Sequence, residues 1–95
     1  MAVIVAEFPE LVAARNGLNC RARACALSTR RGEWHGWIEF NPTNGAPTFK
    51  SPRETEQPTR QDIAVWADGL TPPALEEALD RALIRIGIAN VTPKR

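Results

Sequence analysis

One histidine, two cysteines and a run of arginines are the side chains that first suggest chemistry in this chain: a proton to move, a bond to attack or an anion to grip. His35 is the single residue whose ordinary titration lies near neutral pH. It stands in Trp34-His35-Gly36-Trp37-Ile38-Glu39-Phe40, which also carries two of the three tryptophans. Nucleophilic chemistry would need Cys25 in contact with His35. The strand register argued below sets Cys25 opposite Trp37, so His35 is only a diagonal neighbour, and no oxyanion hole or substrate cleft is signalled nearby. No catalytic residue, no metal-ligand set and no cofactor is therefore expected. Cys20 and Cys25 lie five apart in one expected strand, point to opposite faces, and read as two reduced thiols.

The arginines permit a second chemistry. Arg15, Arg21, Arg23, Arg30 and Arg31 fall between residues 15 and 31 with no acid among them. Beside an exposed tryptophan, such residues suit nucleobase stacking with phosphate contacts, or an aromatic anchor for a protein partner. The chain's net charge of +1 does not favour the nucleic-acid alternative. The expected function is a small non-enzymatic protein-interaction module, with single-stranded nucleic-acid binding as the alternative. Arg21, Arg23, His35, Trp37 and Lys50 form the candidate binding surface.

Those residues need a sheet to bring them together. Asn16-Gly17, Arg30-Arg31-Gly32 and Asn44-Gly45 read as hairpin turns that separate four strands between residues 10 and 51. Two-residue type I′ loops at 16 and 44, with a three-residue loop at 30 to 32, set Ala26 opposite Gly36, Ala24 opposite Ile38, Arg23 opposite Glu39, and Glu39 opposite Lys50. The same choice sets Leu11 opposite Ala22 and Ala13 opposite Cys20. One face then collects Leu11, Ala13, Cys20, the alanines, Trp34, Ile38 and Phe40. The other face carries the candidate surface. Residues 1 to 9 fit either an extra strand or the first half of a long one bent at Pro9.

Beyond residue 51 the period changes. The polar connector Ser51 to Pro58 reads as a segment folded over the sheet edge, and residues 59 to 87 as a pair of helices. Thr59 and Asp62 form the start of the first helix, and Thr71-Pro72 the start of the second. Leu75, Ala78, Leu79, Ala82, Leu83 and Ile86 make an apolar stripe. Residues 88 to 95 read as a flexible tail. The expected fold is one α+β domain: an antiparallel β-meander of three to four strands followed by two C-terminal helices packed on one sheet face. No apolar run approaches the length of a membrane span, and the chain is expected to be cytoplasmic, with a homodimer as one form of its association.

At Trp34-His35-Gly36-Trp37-Ile38-Glu39-Phe40, Arg53-Glu54-Thr55-Glu56-Gln57-Pro58 and Trp66-Ala67-Asp68-Gly69-Leu70-Thr71-Pro72, the chain resembles a group of short bacterial proteins of uncharacterised function. The likeness spans roughly residues 20 to 85. It implies a stand-alone bacterial protein and carries over no catalytic or binding residue.

Overall fold

Two long strands form the frame of the molecule, in a computed structural model that describes residues 2–87. The tail expected over residues 88 to 95 lies outside the described residues. In chain order the elements are β1 Val3–Glu7, β2 Val12–Ala13, β3 Asn19–Ser28, β4 Trp34–Pro42, β5 Phe49–Lys50, β6 Thr55–Gln57, α1 Arg60–Asp68 and α2 Pro72–Arg85. The central pair is antiparallel, with Ala22 opposite Phe40, Arg23 opposite Glu39, Ala24 opposite Ile38, Cys25 opposite Trp37 and Ala26 opposite Gly36. This is the register read from the sequence. It is held by the turn after β3, in which Thr29 N–H donates to the Glu33 carbonyl at 2.7 Å and Gly32 takes a φ of 88°.

Both outer positions of the sheet are filled by strands broken in two. β1 and β2 pair with the same side of β3, while β5 and β6 pair with the free side of β4. The N-terminal segment is thus the first half of one long edge strand interrupted around Pro9, with a bulge between Ile4 and Ala6. The connector expected to fold over the sheet edge instead extends it, Thr55–Gln57 forming a strand with Thr55 facing Gly36 and Gln57 facing Trp34.

The first hairpin differs from expectation by one residue. Val12 pairs with Cys20 and Ala13 with Asn19, so Val12 and Ala14 are buried whereas Leu11 and Ala13 are exposed. The cause is the loop. Among the described residues only glycines have positive φ, so Asn16 cannot occupy the first position of a type I′ turn. Instead the Asn16 side chain accepts from Leu18 N–H at 3.0 Å, and Ala14 N–H donates to the Leu18 carbonyl at 2.8 Å, closing a three-residue loop. Asn44 acts in the same way, accepting from Ala46 N–H at 2.9 Å. There the expected pairs Glu39–Lys50 and Phe40–Phe49 nevertheless form.

Helix starts follow the sequence. Thr59 accepts from Asp62 N–H at 3.1 Å and donates to its carboxylate at 3.0 Å, and Thr71 accepts from Ala74 N–H at 3.3 Å. The stripe of α2 buries Leu75, Ala78, Leu79, Ala82 and Leu83; Ile86, at the helix end, stays exposed. Both helices lie on the face that presents Ala22, Ile38 and Phe40, α1 touching β1, β4 and β6, and α2 touching β2 and β4. Small residues permit this approach. A Cβ on Gly36 would lie 2.8 Å from the Trp66 ring and 2.9 Å from the Thr55 methyl, so Trp66 of α1 can settle there only over a bare backbone.

Candidate interaction face and histidine cluster

The sheet face turned away from the helices is built in rows, because side chains two apart on a strand share a face and register aligns neighbouring strands. One row runs Glu7, Arg23, Glu39, Lys50 across the four strand positions. Acid and base alternate along it. At its centre Arg23 Nε donates to Glu39 Oε1 at 2.9 Å, and the same oxygen lies 2.9 Å from Arg23 Nη2. The carboxylate, through that hydrogen bond and its charge, raises the guanidinium above its ordinary range, so Arg23 is firmly cationic but already neutralised.

The next row is Ile4, Cys25 and Trp37. Trp37 is half-buried, with the Lys50 ammonium 5.4 Å from its ring centroid, a cation–π contact. Its indole N–H is buried and has no hydrogen-bond partner, which makes it an unsatisfied donor in the middle of the face. Cys25 is only 3% exposed although it points away from the helices. Burial, reinforced by the Glu39 charge, pushes its thiol up to about 11, so it is neither a thiolate nor a ready nucleophile at neutral pH.

His35 occupies the third row, between Leu27 and Glu56. Arg53 Nη1 lies 3.3 Å from His35 Nε2 and 3.6 Å from Glu56 Oε1. Arginine only donates, so this bond requires the ring nitrogen to present its lone pair. Glu33, two residues before His35, completes a group of three whose ligand atoms all lie within 4.8 Å of one another. Of these residues the sequence reading singled out only His35. Glu33 and Glu56 are separated by the whole of β4, the connector and its turns, and the uniformly polar Thr55-Glu56-Gln57 carries no strand signal of its own.

At the opposite end of the face, a cleft of about 530 Å³ is lined by Arg21, Arg23, Glu39, Asn41, Thr48 and the Glu7–Pro9 segment. It exists because the edge strand leaves β3 at Phe8, whose N–H makes a bond to the Ala22 carbonyl before Pro9 interrupts pairing. Arg21 is exposed beside it. His35 is not among its lining residues, so the histidine and the cleft cannot serve one reacting group. The structure thus brings Arg21, Arg23, Trp37, Lys50 and His35 onto one face but gives them three different settings: a cleft, a charged row around an aromatic ring, and a carboxylate cluster.

Comparison of the chain with protein-family models, with curated proteins and with solved structures finds no match in any of the three. Among the described residues, no helix is long and apolar enough to cross a membrane.

Proposed function

We propose that the chain is a small non-enzymatic interaction module whose contact surface is this outer sheet face, and that the partner fitting it is a second copy of the chain. The row Glu7, Arg23, Glu39, Lys50 carries the proposal. A two-fold axis parallel to the strands and between β3 and β4 reverses the row on the second copy. Glu7 then meets Lys50 and Arg23 meets Glu39 of the other molecule, which is the self-complementarity an isologous interface requires. Ile4 and Trp37 supply an apolar strip beside the charges, as the core of an interface does beside its rim. The alternation weakens the reading as a single-stranded nucleic-acid binder, because acids stand between the bases that would track phosphates. We place this module in the bacterial cytoplasm, and the motif resemblance at residues 34 to 40, 53 to 58 and 66 to 72 supports the bacterial part of that setting.

Sedimentation velocity of the full chain across a concentration series tests the proposal. A reversible dimer is expected. Glu7→Lys should weaken it at least about tenfold by setting like charges opposite each other, and Glu7→Lys with Lys50→Glu should restore it. A monomer throughout, or a double variant no better than the single one, would sink the idea. Salt-sensitive binding of a single-stranded oligonucleotide by the monomer would favour the alternative.

A further inference from the structure

We infer that Glu33, His35 and Glu56 form a site for a zinc-class divalent cation, and that Arg53 is the internal cation that such a metal displaces. Three ligand atoms within 4.8 Å of one another leave a central point no more than about 3 Å from each. Zinc bonds to imidazole nitrogen and carboxylate oxygen are roughly 2.0–2.2 Å, a contraction that rotation of two glutamate side chains supplies. The backbone does the harder part. Glu33 directly precedes β4, two residues from His35, while Glu56 is the direct cross-strand partner of His35 on β6. The ladder fixes His35 and Glu56, and the Thr29 N–H bond to the Glu33 carbonyl holds Glu33 in the adjoining turn, before any metal arrives.

Arg53 already places a cation at this point. Its Nη1 reaches both His35 Nε2 and Glu56 Oε1. Two carboxylates with one guanidinium leave a net charge of −1 on those three groups; exchanging the guanidinium for a divalent ion brings the sum to zero. Arg53 is free to leave, since its side chain is 56% exposed and it lies between the points where Ser51 and Glu54 bond to β4. One imidazole with two carboxylates suits zinc or cobalt and leaves positions open for water, whereas magnesium and calcium favour all-oxygen shells. His35 and Glu56 are 32% and 42% exposed in their side chains, so an ion reaches them from solvent.

Calorimetric titration of tag-free full-length protein with zinc chloride tests this, with the imidazole resonances of His35 as a second readout. Because His35 is the sole histidine, those resonances need no assignment. One zinc per chain is expected, with a shift of the His35 signals and no competition from equimolar magnesium. His35→Gln and Glu56→Gln should each weaken binding by at least about tenfold, and Arg53→Gln should tighten it by up to about tenfold. Cys20→Ser and Cys25→Ser should leave binding unchanged, as should the dimer-breaking Glu7→Lys. No zinc binding at millimolar concentration would overturn the inference. So would binding that survives His35→Gln, follows the cysteines, or is indifferent to Arg53.

Discussion

Gly36 shows how much of this fold hangs on single atoms. It needs no unusual backbone angle; it is required because Trp66 and Thr55 occupy the space a methyl group would fill. Gly36→Ala should therefore destabilise the protein by about 1–3 kcal/mol, checked by urea unfolding, with wild-type stability arguing that Trp66 can move aside. Trp37 predicts the opposite sign. Its buried indole N–H lacks a partner, so Trp37→Phe keeps an aromatic ring and removes an unsatisfied donor. Its melting temperature should equal or exceed that of wild type, and a clear fall would mean the N–H finds a partner in solution. Cys25 gives a pH prediction. Its folded-state value is raised from 9.0 to about 11, so the native state keeps a proton that the unfolded chain releases between those values. The resulting stability is fully present below pH 9 and is lost as pH rises towards 11. Denaturation midpoints of wild type and Cys25→Ser should converge or cross over that window; parallel curves would contradict the burial.

Among elements, the sheet edge formed by β5 and β6 is the one most dependent on distant partners. Its two strands pair with β4 on either side of a short irregular segment. There the Ser51 hydroxyl accepts from Ile38 N–H at 3.1 Å, and Glu54 N–H donates to the Gly36 carbonyl at 2.7 Å. From α2, Arg81 grips the Glu54 carboxylate with two donors and Arg85 donates to the Ser51 carbonyl at 2.9 Å. The Glu54 side chain is 10% exposed and that of Arg81 47%. Arg81→Ala should accordingly cost about 1–2 kcal/mol, between the values typical of exposed and of buried pairs. Hydrogen exchange of β6 amides should rise with it; unchanged protection would show that β4 alone holds the edge. Arg81 remains on the exposed side of α2 while it reaches across to this connector. Periodicity identifies the side of a helix that meets the core, but it does not report which loop will fold back along its margin.

At the scale of the molecule, one side of the sheet is cemented by helices and the other is open, and the tryptophans sample both. Trp66 lies between α1 and the sheet while Trp37 is on the open side. If the layers unfold as a unit, tryptophan fluorescence and far-ultraviolet circular dichroism should give one coincident urea transition; separate midpoints would mean that the helices come away first. The arrangement also explains what could be read in advance. Alternation along residues 20 to 28 and 34 to 40, the glycine at 32, and the threonine caps at 59 and 71 are local signals, and together they determined the central register, the helix starts and the α+β class. A one-residue slip would have buried arginines, which leaves the central pair one choice. The first hairpin lacked that protection. Val12 and Leu11 are both apolar, so only the closing of the Asn16 loop around its own side chain decided which of them entered the core. The cluster of Glu33, His35 and Glu56, the cleft beside Arg21, and the clamp of Arg81 on Glu54 were decided by tertiary structure alone. Each joins residues on separate elements, and their meeting depends on how an edge strand breaks and where a connector is pinned, which hydrophobic period and turn chemistry do not encode.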